Sequence, residues 1–337
     1  MADTGVPVEE RHPSTAAAAA RERFGWRLFA RPESGVIMAA VVIFLFFAIF
    51  APRFLSVNVM SNILLLSAEL GIVAVGVTML MVSGEFDLSV GSVLGLGAGM
   101  VVVWLNAGWP VPLAILVALA VAAGIGTLNG LLVTRMQIHS LIVTLGGLMF
   151  YRAAVLAITG GFPIRLGEDY PFLELFNFWW GPIPGTFLWF VGFIVLFTII
   201  ITSTRFGNWV YASGGGREAA NEMGVPVSRV KVLCFACASM LAASAGIIQM
   251  SRLNSVDALR GTALELEAVL AVVVGGALLT GGRGSIVGAA LGVIMVSMIK
   301  QGLILMGIPA FWFKAGIGVV LILAAYINHR VQQATLQ

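Results

Sequence analysis

The feature that most constrains this chain is the recurrence of long apolar stretches. A helix needs about 20 apolar residues to cross a bilayer. Such stretches lie near 34–51, 57–81, 88–106, 110–134, 140–160, 185–203, 230–252, 266–280, 284–306 and 311–327. In hydrocarbon every backbone N–H and C=O must find its partner inside the protein, so segments of this kind fold as helices. The expected fold is all-α: a polytopic transmembrane helical bundle of about ten spans. The eighth stretch is short, and the second and third can be read as one broken unit.

Composition agrees. Of 337 residues, 59% are hydrophobic and 10% charged, against about 45–50% and about 25% in soluble domains. This excludes a cytosolic enzyme, a disordered tail and a secreted disulfide scaffold. The net charge of +3 is too small and too scattered for nucleic acid binding. Cys234 and Cys237 form a C-x-x-C inside an apolar stretch and read as small core residues. No metal site is expected, and His12, His139 and His329 receive no chemistry.

The few charges orient the chain. With the N-terminus inside, 12 of the 19 Lys and Arg fall on inner segments, as the positive-inside rule requires. Both termini are then cytoplasmic. Residues 1–33 form a leader in which 21–31 mixes Arg with Phe24, Trp26, Leu28 and Phe29, an expected interfacial helix or else a disordered basic tail. Residues 34–330 form the transmembrane domain and 331–337 a cytoplasmic tail. The outer loop 161–184 holds Phe172, Phe176, Phe178, Trp179 and Trp180, an aromatic belt or a docking surface for an outside partner.

Three charges fall inside the apolar mass. Glu69 and Arg152 are expected to pair or to line a wet cavity, because an unpaired charge there costs about 2.5–3.5 kcal/mol or more. Asp87 lies beside Ser89 and Ser92. It either caps the third helix or supplies an acceptor on a transport path.

The inner loop 204–230 carries Gly214-Gly-Gly, which frees the backbone. The run Arg217 to Met223 follows, with Gly224 placed for a left-handed cap and Pro226 just beyond. A two-turn helix between two spans is expected. Ala219 and Ala220 keep one face small, and Glu218 and Glu222 share a face one turn apart. It is an ordinary capped loop helix or a docking element.

This Glu-Ala-Ala helix followed by Gly resembles the coupling helix of ABC importer permeases. The runs Gly84-Glu-Phe-Asp-Leu-Ser-Val-Gly-Ser92, Leu128-Asn-Gly-Leu-Leu-Val133, Ile142-Val-Thr-Leu-Gly146, Ile158-Thr-Gly-Gly161, and Val274-Gly-Gly276 through Thr280-Gly-Gly-Arg-Gly-Ser285 agree with it. Their order is similar to the ribose, xylose, arabinose and galactose permeases, which are related to branched-chain amino-acid permeases. The resemblance covers residues 34–330. Glu85 departs from the pattern, which more often has a small residue there.

The resemblance implies a non-enzymatic subunit of an ATP-driven, binding-protein-dependent sugar importer in the bacterial inner membrane, working by alternating access. Its partners would be a second permease copy (identical or a close paralogue), two copies or halves of an ABC ATPase, and a periplasmic sugar-binding protein. ATP and Mg would bind the ATPase, and this chain would bind no cofactor. Arg217, Glu218, Ala219, Ala220, Glu222 and Gly224 would receive the ATPase. Asp87, Ser89, Ser92, Asn129 and Thr144 would be candidates for the path. The chain has no G-x-x-x-x-G-K-[ST], so ATP must be handled elsewhere. The alternatives are an ion-coupled secondary transporter using Asp87 and Glu69, or a permease for the autoinducer or a branched-chain amino acid. A membrane enzyme lacks a nucleophile–base pair.

At an offset of 197, Gly84, Gly91 and Gly95 align with Gly281, Gly288 and Gly292. Such glycines mark interrupted helices along a path, or closely packed ones.

Overall fold

The structure is a computed structural model and describes residues 32–309 and 311–322. The expected interfacial helix at 21–31 and the tail at 331–337 lie outside the described residues.

The chain begins with α1 (Pro32–Phe50), α2 (Val57–Val82), α3 (Val90–Asn106), α4 (Val111–Arg135) and α5 (Ser140–Thr159). The loop that follows carries a single-turn helix α6 (Glu174–Asn177). Then come α7 (Gly185–Ser203), α8 (Arg205–Gly215), α9 (Arg217–Glu222) and α10 (Val227–Leu253). The described chain closes with α11 (Leu264–Val274), α12 (Ile286–Leu305) and α13 (Phe311–Ile322).

Six of these, α2, α4, α5, α7, α10 and α12, are long and apolar enough to cross a membrane. About ten were expected. The clearest correction is the expected span 266–280, where α11 has only 11 residues, about 16 Å of helix. Gly276 takes φ +93° after Val274, and the chain stays irregular until Ser285. The expected span 88–106 starts only at Val90, because Gly84 (φ +83°) ends α2's path and residues 85–87 have no regular structure. The tenth expected span is described as far as Ile322.

Among the described residues the all-α expectation holds apart from four two-residue strands. β1 (Ile164–Arg165) pairs antiparallel with β4 (Ser255–Val256), and β2 (Trp179–Trp180) with β3 (Ile183–Pro184). Ser61 Oγ donates to Pro182 O at 2.6 Å, and Asn106 Nδ2 donates to Arg165 O at 2.9 Å. The start of α2, the end of α3 and the strands therefore share one end of the bundle, here called the aromatic end. The opposite, glycine-rich end gathers the end of α2, α8, α9 and the loop 275–285.

α10 is the central post and packs on α2, α3 and α4. Its small residues permit this: a Cβ on Gly246 would sit 2.1 Å from Leu94 O. Close helix approach through small side chains is the usual membrane solution, since lipid gives helices no hydrophobic reason to associate. α2 is 89% buried over its apolar window, whereas α5 is 17% and α7 22%. The apolar faces of α5 and α7 are thus turned outward.

Two irregular segments enter the bundle from opposite ends. Residues 83–89 rise from the glycine end, and residues 254–263 descend from β4 at the aromatic end. They meet at α3, where a Cβ on Gly91 would lie 2.4 Å from Gly261 O. Gly91 is about 22 Å along α3 from the aromatic end, at 1.5 Å per residue. Unwound backbone at such depth is tolerated where protein surrounds it.

Candidate functional site

The loop 83–89 brings Asp87 to the centre of a buried polar chain. Asp87 Oδ1 accepts from Ser89 N at 2.7 Å and from Ser89 Oγ at 2.6 Å. Asn129 Nδ2 on α4 donates to Ser89 Oγ at 3.2 Å. Tyr151 OH on α5 donates to Asn129 Oδ1 at 2.9 Å. Asp87, Ser89 and Asn129 are 1% exposed or less. Asp87 Oδ2 is buried without a hydrogen-bond partner. The two short bonds that Asp87 accepts come from Ser89, the residue preceding α3, so it shapes the entry turn, and the Asn129 side chain also faces its carboxylate.

Two candidate path residues stand outside this chain. Ser92 Oγ donates to Leu148 O at 2.9 Å, and Thr144 Oγ1 donates to Ser140 O at 2.8 Å. Each satisfies its hydroxyl on helix backbone, although both are buried. Tyr151 went unselected in the sequence. The signal was available: a phenol at membrane depth usually finds a buried partner.

Glu69 does not pair with Arg152. It accepts from Arg252 (Nη2–Oε1 2.6 Å, Nε–Oε1 3.1 Å) and from Gln249 Nε2 at 2.6 Å. Arg152 instead donates to the carbonyls of Arg260 (2.6 Å) and Ala258 (3.4 Å) in the descending segment. The reason is topological: α2 packs on α10, α5 packs on α3, and α3 and α10 stand between Glu69 and Arg152. Glu265, unselected in the sequence, opens α11 and is buried against α3; a Cβ on Gly91 would lie 2.2 Å from its Oε2. Lys231 is buried within α10 and bonds Glu85 at 2.5 Å.

At the glycine end, α9 projects from the bundle. Arg217, Glu218, Ala219, Glu222 and Gly224 are exposed, and Ala220 anchors the helix at 1% exposure. Gly224 (φ +79°) is the expected left-handed cap, with Gly224 N donating to Asn221 O and Val225 N to Ala220 O, each at 3.0 Å. This is a Schellman closure.

The glycines before α9, expected to free the backbone, serve close packing here. Gly214 and Gly215 end α8, and a Cβ on Gly214 would sit 1.9 Å from Val82 O. Gly282 N donates to that same carbonyl at 2.9 Å. Of the offset-197 pairs, Gly84 and Gly281 abut, a Cβ on Gly281 lying 2.7 Å from Gly84 Cα.

At the aromatic end an open groove of about 990 Å³ is lined by Asn58, Ser61, Asn62, Gln301, Trp179 and Pro182 among others. Among the described residues, no cluster of three or more His, Cys, Asp or Glu is arranged to hold a metal ion.

The chain matches, over residues 59–325, the family described as branched-chain amino acid transport system / permease component. It is 33% identical to the xylose/arabinose import permease of Sulfolobus acidocaldarius, over 90% of this chain and 87% of that protein. It is 32% identical to the ribose import permease of Escherichia coli (strain K12), over 89% and 94%. It is 35% identical to the autoinducer 2 import system permease of Enterobacter sp. (strain 638), over 90% and 88%. No solved structure matches.

Proposed function

Because the chain belongs to the permease family of branched-chain amino acid transport systems and shares about a third of its residues with sugar import permeases, we propose that it is the membrane subunit of an ATP-driven importer of a simple sugar. The single observation that carries the mechanism is α9, an exposed, Schellman-capped helix hung between α8 and α10 on one buried alanine. Its Ala219 allows close approach, and Glu218 and Glu222 offer charge to a basic partner. An ABC ATPase docked there supplies ATP and Mg; this chain supplies the path.

In this proposal the glycine end faces the cytoplasm and both termini are inside. The aromatic end faces the periplasm and receives a sugar-binding protein. Two permease copies assemble with two ATPase copies or halves in the inner membrane. ATP closure draws α9 together with its counterpart, and the bundle opens its path first outward and then inward. Asp87, Ser89 and Asn129 are buried, so the path must part the elements that carry them before a sugar could reach them. A carboxylate and neighbouring hydroxyl and amide groups suit a neutral polyol, which offers donors and acceptors and no charge.

Reconstitution tests this. The chain is co-purified with its ATPase chains, placed in proteoliposomes, and supplied with a binding protein and labelled D-ribose, D-xylose, L-arabinose, D-galactose, autoinducer 2 or leucine. Uptake of one of the sugars on ATP supports the proposal. Uptake driven by an ion gradient without ATPase chains overturns the ABC mechanism, and uptake of only leucine or the autoinducer overturns the sugar assignment.

A further inference from the structure

Resting on the importer proposal, we infer that the Glu85–Lys231 ion pair is a positioning link that carries movement of α9 to the loop holding Asp87. Four observations join into one continuous path.

First, α9 and α10 are not connected by slack chain. Val225 N donates to Ala220 O at 3.0 Å, Val227 N to Val225 O at 2.8 Å, and Val230 N to Pro226 O at 3.0 Å. Displacement of α9 is therefore passed to the first turns of α10. Second, Lys231 stands in those turns and faces the bundle, its side chain 9% exposed. Third, Lys231 Nζ lies 2.5 Å from Glu85 Oε1, on a carboxylate side chain 13% exposed. Fourth, Glu85 is two residues from Asp87, whose chain through Ser89 and Asn129 reaches Tyr151 on α5.

The loop's other ties carry no charge: Gly84 abuts Gly281. Phe86 N donates to Ser140 Oγ at 3.4 Å, and a Cβ on Gly84 would meet Gly214 Cα only at 3.4 Å, ordinary van der Waals contact. Glu85 N, which donates to Leu80 O at 3.1 Å, ties the loop back to α2 and not to α10. The ion pair is thus the charged contact between α10 and the loop; the Cys234 thiol, also on α10, meets the Ser83 hydroxyl at the loop's start. A charge pair with little water around it is strong and sensitive to distance. It adds little net stability over an apolar pair of the same volume. Ionisable groups at membrane depth generally serve function.

The test uses the full complex with its ATPase chains and binding protein in proteoliposomes. Uptake of whichever labelled sugar the wild type accepts (D-ribose, D-xylose, L-arabinose or D-galactose) is measured beside phosphate release. Glu85→Gln and Lys231→Met are expected to keep the ATPase chains bound and hydrolysing. Solute delivered per ATP falls by about 5-fold or more, the lower end of ordinary coupling free energies. The swap Glu85→Lys with Lys231→Glu restores the ratio. An unchanged ratio in the single variants, or uptake and hydrolysis falling together with the amount of folded protein, overturns the link and leaves a structural staple. If the swapped protein does not accumulate, Glu85→Asp decides: a ratio no better than that of Glu85→Gln overturns the link. Wild-type vesicles that hydrolyse ATP but take up none of the four sugars overturn the importer proposal and the link with it; wild-type uptake separates the two failures.

Discussion

Glu69 is held by Arg252 and not by Arg152: the guanidinium approaches to 2.6 Å, and Gln249 occupies the other carboxylate oxygen at 2.6 Å. The pair fastens the middle of α2 to the aromatic end of α10, the two elements at the centre of the bundle. Arg152 works elsewhere, fixing the descending segment through carbonyl oxygens.

Arg252→Met should therefore destabilise the detergent-solubilised protein. A fully buried pair broken on one side costs about 3–5 kcal/mol. Arg252 is 28% exposed on its side chain, so about 1–3 kcal/mol is expected after solvent screening. The double variant Glu69→Gln/Arg252→Met should recover part of the loss, while Glu69→Gln and Arg152→Met should simply add. Thermal unfolding followed by size-exclusion fluorescence reads this. Strong coupling between positions 69 and 152 would contradict the arrangement.

Gly214→Ala should lower the yield of folded protein, because its methyl group would collide with the backbone carbonyl of Val82 at 1.9 Å. Overpacking of this kind costs about 1–3 kcal/mol or more. Gly146→Ala is the control: it is helical and meets nothing within 4 Å. Equal melting temperatures for the two variants would refute the tight junction.

On α9, Ala219 and Ala220 should behave in opposite ways. Ala219→Arg projects from an exposed position and should abolish capture of the ATPase chains without moving the melting temperature. Ala220→Arg forces a charge into a site that is 1% exposed and should unfold the helix itself. Pull-down beside a melting curve separates them. ATPase capture that survives Ala219→Arg would remove α9 as the docking element.

Within the Asp87 chain, Ser89→Ala should harm more than Tyr151→Phe. Losing one phenolic bond costs about 1 kcal/mol, whereas a buried carboxylate stripped of its hydroxyl partner loses more, about 1–3 kcal/mol. Asn129→Leu breaks both bonds that the amide makes and should fall between. Uptake normalised to folded protein, set beside thermal stability, gives the ranking; a larger loss in Tyr151→Phe would reverse it.

Orientation is checked by cysteine labelling in a background lacking Cys234 and Cys237. Met223→Cys, at a side chain 75% exposed, should react with a membrane-impermeant maleimide only after permeabilisation of the inner membrane. Trp180→Cys, 71% exposed at the opposite end, should react before it. The reverse pattern would invert the chain in the membrane.

Much of this architecture was written in local sequence. The spans 57–81, 110–134, 140–160 and 185–203 match α2, α4, α5 and α7 within a residue or so, because apolar length alone decides whether a segment suits a bilayer. The α9 cap was legible for a similar reason: Gly224 and the helix formers before it act through neighbouring residues. The breaks were harder. Val272 and Val274 look as apolar as any span, yet the helix stops where Gly276 turns to φ +93° and Gly275 packs against Gly288 and Ala289.

Charge pairing was illegible in principle. The sequence by itself determined that Glu69, Asp87 and Arg152 sit within apolar surroundings and need partners, since desolvation depends on composition around a residue. It also determined the spans at 57–81, 110–134, 140–160 and 185–203 and the short capped helix that follows Gly216. Only the tertiary structure decided which partners those charges take, that Lys231 reaches Glu85 across 146 positions, and that two unwound segments meet at Gly91. An ion pair forms where helices cross, and crossings are set by which small residues let backbones approach. That selection is made by the whole packed bundle, and no stretch of sequence contains it.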